Sequence, residues 1–242
     1  MLFGPPGTGK TLIARAIASE VEATFFSISA SSLTSKWIGE GEKTVRALFG
    51  VAAARQPSVV FIDEIDSLLC QRSSDENEAS RRIKTEFLVQ LDGAATKSDE
   101  MVLVIGATNR PQELDEAVRR RFVKRLYIPL PDPVTRLALL QKLLCKNDHV
   151  LTVDEVDKVC SLTKGYSGAD VTNLAREASM GPLRDKMRHG SELPALRPIQ
   201  YHDFSIALRS IRASVGQDEL TGYIAWNNEF GTQEYLEEDL QT

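Results

Sequence analysis

The sequence predicts an α/β fold with a parallel sheet, followed by a small all-helical domain. In the first half of the chain, short apolar runs alternate with helical patterns, which is typical of a parallel sheet covered on both faces. A glycine-rich motif opens that half and precedes a helical pattern. After a proline-rich break at residues 129–133, only helical periodicity remains.

Each strand of the first part is predicted from an apolar run. These runs are residues 25–28, 59–62, 102–105 and 126–128. Residues 1–3 predict a short first strand that runs into the glycine-rich motif. Helical patterns lie near residues 40–54 and 78–91, and one earlier helix has apolar residues on one face, namely Leu12, Ile13, Ala16 and Ile17. Residues 1–131 are therefore expected to form the α/β part.

Residues 132–231 predict a helical domain with its own start and stop signals. Asp132 and Pro133 can cap and open the first helix, and residues 152–155 form a capping box for another helix that Gly165 can close. Residues at helical spacing, nearly all of them apolar, complete the pattern. They are Leu137, Leu140 and Leu144, then Ser167, Val171, Leu174, Ala175 and Ala178, then Leu220, Tyr223, Ile224 and Phe230. Residues 232–242 carry only acidic charges and predict a frayed tail.

The composition excludes several classes of protein. With 42% hydrophobic and 26% charged residues, the chain has the composition of an ordinary soluble globular protein. Its net charge of −5 argues against a general nucleic-acid binder. No apolar run has the length of a membrane span, and no signal-peptide pattern is visible. Cys70, Cys145 and Cys160 are widely spaced, which indicates reduced thiols rather than a disulfide framework or a zinc site.

The glycine-rich motif matches the complete phosphate-binding pattern G-x-x-x-x-G-K-T. Its members are Gly4, Pro5, Pro6, Gly7, Thr8, Gly9, Lys10 and Thr11. The glycines allow a tight turn whose N–H groups point at the phosphates of a nucleotide, and the helix that follows adds its N-terminal dipole. Lys10 can reach the β- and γ-phosphates, and the Thr11 hydroxyl can ligate Mg²⁺. The alternative is a glycine-rich turn without a ligand.

Two carboxylates follow the apolar run at residues 59–62. Asp63 stands at the carboxyl end of that strand, where it would lie beside the phosphate loop and hold Mg²⁺ through the metal's water shell. Glu64 is then placed to polarise a water molecule for in-line attack on the γ-phosphate. The alternative is a strand that ends in a solvated acidic turn.

Three further features can each be interpreted as part of a functional site or as ordinary structure. Asn109 follows another strand and can contact both the attacking water and the γ-phosphate, but it is also an ordinary turn residue before Arg110-Pro111. The arginines at residues 119–121 form either a solvated face or a source of charge for a neighbouring subunit's site. Trp37 lies in a polar, glycine-flanked segment, so it is either a core residue or an aromatic offered by a loop.

Taken together, these motifs resemble an AAA ATPase module. The resemblance rests on the phosphate loop, the F-I-D-E strand end at residues 61–64, G-A-T-N-R-P at 106–111, the arginine run and G-Y-S-G-A-D at 165–170. The segment at residues 29–43 and the ending with Tyr223, Trp226 and Phe230 look like the spastin, fidgetin-like and katanin group, which severs microtubules.

The resemblance implies a ring, usually a hexamer, with ATP and Mg²⁺ between subunits. It implies that residues 4–12, including Leu12, and Asp63 bind the nucleotide, and that Gly168 and Ala169 back its base and ribose. Asn109 becomes the sensor of the γ-phosphate, while Arg120 and Arg121 act on the next subunit. The residues that would grip a threaded polypeptide are Lys36, Trp37 and Ile38 in one pore loop, and Arg81 and Arg82 in a second.

The resemblance also sets the expected function. It implies an ATP-driven remodelling enzyme that threads acidic tubulin tails, with a cytoplasmic location and cytoskeletal or nuclear alternatives. Disassembly of membrane-remodelling filaments, or a regulator that binds nucleotide or subunits without turnover, are the other interpretations. Family members carry a segment before the phosphate loop that completes the central strand. Because residues 1–3 do not supply it, we expect a chain truncated at its N-terminus and weakened in stability.

Overall fold

A computed structural model of the chain describes residues 1–34, 41–70, 78–96, 101–189 and 196–232. Contacts divide these residues into two units. An α/β unit contains Met1–Gly4, Lys10–Ile128 and the chain from Gly222 onward, and a helical unit contains Pro5–Gly9 and Pro129–Thr221.

The α/β unit is built on a parallel sheet of five strands. The strands are β1 (Leu2–Phe3), β2 (Thr24–Ser29), β3 (Ser58–Asp63), β4 (Val102–Thr108) and β5 (Leu126–Tyr127). Their spatial order is β2-β3-β4-β1-β5, and every pair is parallel. Short β1 therefore pairs with a strand on each side, and the carboxyl ends of β3, β4 and β1 are neighbours. In an open parallel sheet, this edge is where ligands bind.

Helices cover both faces of this sheet. They are α1 (Lys10–Glu20), α2 (Ala30–Thr34), α3 (Gly41–Ala54), α4 (Asp66–Leu69), α5 (Glu78–Thr96) and α6 (Glu116–Arg121), with a short 3₁₀ helix at Pro111–Glu113. Alternate residues of β3 enter two cores, since Phe61 packs with the α1 side chains and Ile62 packs with α3 and α5. A strand covered on both faces is apolar throughout, which explains why residues 59–62 form an unbroken apolar run.

The helical unit has a separate core. Its helices are α7 (Pro133–Leu144), α8 (Val153–Leu162), α9 (Gly168–Ser179), α10 (Gly181–His189) and α11 (Tyr201–Ser210), and Leu140, Leu174 and Phe204 lie at the centre of their packing. Both α8 and α9 begin with a capping box, which Thr152 and Glu155 form in α8. The two reciprocal bonds satisfy N–H groups that a helix start leaves without intrahelical partners.

The final helix, α12 (Gln217–Phe230), differs from the prediction in its packing. We expected it within the helical domain of residues 132–231, whereas from Gly222 onward it belongs to the α/β unit. The physical reason is aromatic contact, because Trp226 packs edge-on against Phe3 with ring centroids 4.5 Å apart and Tyr223 stacks on Tyr127 at 6.3 Å. Beyond Thr232, the predicted acidic tail lies outside the described residues.

The parallel α/β sheet and the helical lid that the sequence predicted are confirmed. One predicted helix face is wrong in part, since Ile13 and Ile17 pack against the core but Leu12 and Ala16 are exposed. In α1 the fully buried positions are Ala14 and Ala18, while Leu12 is 70% exposed, because small side chains fit the close approach of α1 to the sheet. No helix in the described part of the chain is long and apolar enough to cross a membrane.

Candidate nucleotide site

Within the α/β unit, the two ends of the phosphate loop are held by backbone contacts. Gly4 has φ +143°, and a Cβ atom there would lie 2.3 Å from the Ile128 carbonyl oxygen, so only glycine fits. Lys10 opens α1, and its Nζ donates a hydrogen bond to the Gly4 carbonyl at 2.9 Å. This bond draws the first residue of the motif toward the lysine.

Lys10 is a buried cation, with only 7% of its surface exposed. Burial lowers the pKa of its ammonium group from 10.5 to about 8, and the nearby Asp63 carboxylate opposes that shift. A buried ammonium group at the end of a phosphate loop suits a ligand that brings negative charge.

The middle of the phosphate loop, Pro5–Gly9, belongs to the helical unit. There the Ala169 N–H donates to the Gly7 carbonyl at 3.1 Å. Gly7 has φ +74°, and a Cβ atom on it would lie 2.7 Å from the Ala169 Cβ and 2.8 Å from the Ser167 hydroxyl. A Cβ on Gly168 would lie 3.1 Å from the Gly7 carbonyl oxygen. Gly168 and Ala169, which the resemblance assigns to the nucleotide site, thus lie against Gly7 within the helical unit.

Thr11 and Asp63, the two predicted Mg²⁺ ligands, lie together. The Thr11 hydroxyl donates to Asp63 Oδ2 at 3.2 Å, and Asp63 Oδ1 accepts the Glu64 N–H at 3.0 Å. A hydroxyl and a carboxylate at one point form the oxygen donor set that Mg²⁺ prefers. These residues therefore fit the metal.

Glu64 has an unusual backbone. Its φ is +52°, a left-handed conformation that non-glycine residues adopt rarely and that often marks functional sites. Its side chain is exposed, and Oε2 accepts a hydrogen bond from the Ser29 hydroxyl at 3.3 Å. The conformation turns the chain sharply after β3 and presents the carboxylate at the carboxyl edge of the sheet.

Asn109 directly follows β4, the strand between β3 and β1. Its Oδ1 atom is buried and has no hydrogen-bond partner among the described residues. A buried acceptor without a partner costs roughly 1–3 kcal/mol, so each one invites an explanation such as a ligand. Because β4 lies between β3 and β1 in the sheet, Asn109 follows a strand end that has the other two as neighbours.

The two predicted trans-acting arginines differ in their surroundings. Both lie at the end of α6. Arg120 is 76% exposed and pairs with Glu116 one turn earlier at 2.5 Å. Arg121 makes a bidentate pair with Asp92 of α5, with N–O distances of 2.7 and 2.8 Å. Arg120 is thus the more accessible of the two.

The predicted pore residues are described only in part. Lys36, Trp37 and Ile38 lie outside the described residues. Arg81 and Arg82 are exposed in the first turns of α5, where Arg82 pairs with Glu78 at 2.6 Å.

Sequence reasoning missed some residues that contact the site. Ser29 ends β2 in register with Asp63, and its position at a strand end was a signal that could have identified it. Tyr223 donates a hydrogen bond to the Asn109 carbonyl at 2.5 Å, and no local pattern indicates a contact between residues 114 positions apart.

Comparison with known families identifies the first part of the chain. The sequence model for "ATPase family associated with various cellular activities (AAA)" matches residues 1–130. The chain belongs to the AAA family of ATPases. Two further models match later parts of this AAA chain, an "AAA+ lid domain" at residues 153–193 and a "Vps4 C terminal oligomerisation domain" at residues 185–231.

Individual AAA proteins are similar over nearly the whole chain. Fidgetin-like protein 1 of Rattus norvegicus is 59% identical over 96% of this chain and 35% of its own length. Spastin of Homo sapiens is 55% identical over 96% of this chain and 38% of its own length. The chain thus spans little more than a third of these two relatives.

Solved AAA structures show the same fold. The FIGL-1 AAA domain in complex with ADP superposes with a TM-score of 0.87 at 56% identity, covering 96% of this chain and 78% of that one. A structure titled "Structural Basis for Katanin Self-Assembly" gives a TM-score of 0.79 at 44% identity, covering 94% of this chain and 76% of that one.

Proposed function

We propose that this AAA chain hydrolyses ATP to ADP and phosphate with Mg²⁺ as cofactor. The supporting observation is the meeting of Thr11 with Asp63, beside Glu64 in its left-handed conformation. The complex of the FIGL-1 AAA domain with ADP supports the choice of an adenine nucleotide.

In the proposed reaction, each site residue has a defined role. The Lys10 ammonium group binds the β- and γ-phosphates, and Glu64 accepts a proton from the attacking water. Asn109 orients that water and donates to the γ-phosphate. Thr11 and Asp63 would hold Mg²⁺, which neutralises phosphate charge when bound.

We propose further that the active form is a ring, with six subunits as the family implies. The match of residues 185–231 to an oligomerisation domain and the similarity to a katanin structure titled for self-assembly support association of subunits. Exposed Arg120 on α6 is available to a neighbouring copy. In such a ring, arginine from one subunit stabilises the transition state in the next.

As substrate we propose the acidic tails of tubulin, with microtubule severing as the result. The similarity to spastin and katanin supports this choice, together with the basic residues Lys36, Arg81 and Arg82. An aromatic such as Trp37 can pack against many peptide sequences, whereas basic residues attract acidic ones. A cytoplasmic, microtubule-associated location follows from this proposal.

One set of measurements tests both ATP hydrolysis and the proposed action on tubulin. ATP turnover is measured against protein concentration, with and without tubulin-tail peptide, and severing is followed by microscopy of microtubules. We expect turnover to rise cooperatively with concentration. Glu64→Gln should lower turnover by roughly 10²- to 10⁴-fold while ATP still binds. Trp37→Ala should keep most basal turnover but lose peptide stimulation and severing.

Lys10→Ala is the control for binding, since it should weaken nucleotide affinity itself. Equal loss of affinity in Lys10→Ala and Glu64→Gln would contradict the assigned roles. Absence of turnover at every concentration would instead favour a regulator. Stimulation by membrane-remodelling filaments but not by tubulin tails would favour the other substrate class. A large drop in melting temperature in Trp37→Ala would indicate a core residue.

A further inference from the structure

Helix α12 reaches the backbone of a candidate site residue. Tyr223 is 8% exposed, and its hydroxyl donates to the carbonyl oxygen of Asn109 at 2.5 Å. This oxygen belongs to the residue whose side-chain Oδ1 is buried without a partner in the described part of the chain. The Asn109 carbonyl oxygen therefore accepts a hydrogen bond, while the side-chain oxygen of the same residue can still accept one.

The residues on either side of Asn109 are fixed as well. The Thr108 hydroxyl donates to Asp66 Oδ1 at 2.5 Å and accepts the Arg110 N–H at 2.8 Å. The Tyr223 hydroxyl supplies the bond at the carbonyl between these two residues. A buried amide oxygen without a partner is unfavourable, so its orientation must be maintained by bonds around it. Tyr223 provides one of these bonds.

Tyr223 is itself held rigidly. Its ring stacks on Tyr127 of β5 with an interplanar angle of 24°. One turn later, Trp226 packs against Phe3, the residue immediately before Gly4 of the phosphate loop. Because aromatic rings have few rotatable bonds, this packing places the hydroxyl accurately. Helix α12 thus contacts two neighbouring strand ends of the site, those of β1 and β4.

We propose that Tyr223 is a positioning residue, which binds the Asn109 carbonyl oxygen and so orients the side-chain amide. In that orientation the amide nitrogen donates to the γ-phosphate and Oδ1 accepts from the attacking water. This inference rests on the proposed role of Asn109 as the group that distinguishes ATP from ADP. It assigns to α12 a function in nucleotide recognition in addition to its packing on the sheet.

The test measures affinities for ATP and ADP by equilibrium binding, in a Glu64→Gln background so that ATP is not consumed. Tyr223→Phe removes the hydroxyl and keeps the ring that stacks on Tyr127. We expect this change to lower the ratio of ATP affinity to ADP affinity roughly 3- to 10-fold, the range for loss of one hydrogen bond. Affinity for ADP should stay the same.

Asn109→Ala separates this inference from the proposed function. It should lower the affinity ratio at least as far, and adding Tyr223→Phe to it should have no further effect, because Tyr223 acts through Asn109. If Asn109→Ala leaves the ratio unchanged, the proposed role of Asn109 is wrong. If Asn109→Ala lowers the ratio and Tyr223→Phe does not, the role of Asn109 stands and the inference about Tyr223 is overturned.

Tyr166→Phe is a matched control. Tyr166 is 6% exposed, and its hydroxyl donates to the Ile211 carbonyl at 2.7 Å in the helical unit. The variant therefore removes a bond of the same type that does not involve Asn109. We expect a small drop in melting temperature and no change in the affinity ratio. Equal changes in the ratio from both tyrosine variants would overturn the positioning role, since general loosening of the fold would then explain them.

Discussion

Lys10 is a candidate site residue with a lowered pKa. Its pKa of about 8 in the nucleotide-free protein means that about half of the ammonium groups have lost their proton at pH 8. The phosphates of ATP should raise this pKa again, because opposite charge favours the protonated form. We therefore predict that ATP binding at pH 8 takes up about half a proton per nucleotide. Calorimetry in two buffers of different ionisation enthalpy measures this number.

Lys10→Arg is the control, because a guanidinium group remains protonated at pH 8 and should take up none. Uptake of the same size in Lys10→Arg would assign the proton to another group.

The lowered pKa of Lys10 also affects the free energy of unfolding. Between pH 8 and 10.5 the unfolded state binds the Lys10 proton more strongly than the folded state does, so this residue makes the nucleotide-free protein more stable as pH rises through that window.

Among the elements, α6 has the clearest mechanistic prediction. A subunit with Arg120→Ala and Arg121→Ala keeps Lys10 and Glu64 and should hydrolyse nothing alone. Mixed with Glu64→Gln subunits, it should recover some turnover at interfaces where an intact site meets an intact arginine pair. The measurement is turnover of mixed rings whose assembly is checked by mass. Assembled mixed rings without recovery would count against arginines that act in trans.

The single variants should differ, because the two arginines contact different elements. In the described part of the chain, Arg120 pairs with Glu116 of its own exposed helix turn, so Arg120→Ala should leave the melting temperature nearly unchanged. Arg121 joins α6 to α5 through two bonds with Asp92, so Arg121→Ala should lower stability by up to about 1 kcal/mol. Thermal melts of the two single variants measure this difference.

Elements with local signals were predictable, and those defined by distant contacts were not. The apolar run before Asp63 predicted β3, and the Thr152–Glu155 pattern predicted the start of α8, because each depends on residues close in sequence. The exposure of Leu12 depends on how closely α1 approaches the sheet. The packing of α12 depends on Phe3, at the other end of the chain. The spacing of hydrophobic residues predicts that a helix forms, but it does not predict which surface of the protein the helix packs against.

For the whole molecule, the sequence predicted the residues of the candidate site better than the residues that hydrogen-bond to them. Thr11 was predicted from the phosphate-loop motif, whereas Asp63 and Asn109 were predicted because parallel strands bring their carboxyl ends to one edge. The roles of these residues remain predictions. Tyr223 and Ser29 were missed, since a hydroxyl that binds a site residue has no sequence motif. The interpretation of Trp37 is likewise a prediction, and it lies outside the described residues.

The left-handed backbone at Glu64 implies that ATP turnover and folding stability favour different residues at that position. Glycine adopts φ +52° without steric cost, so Glu64→Gly should raise the free energy of unfolding by up to about 1 kcal/mol while it removes turnover. Glu22, with φ +51°, provides the comparison, since Glu22→Gly should give a similar gain with turnover intact. Denaturant melts and ATPase assays of both variants measure this trade-off, and a loss of stability in Glu64→Gly would contradict it.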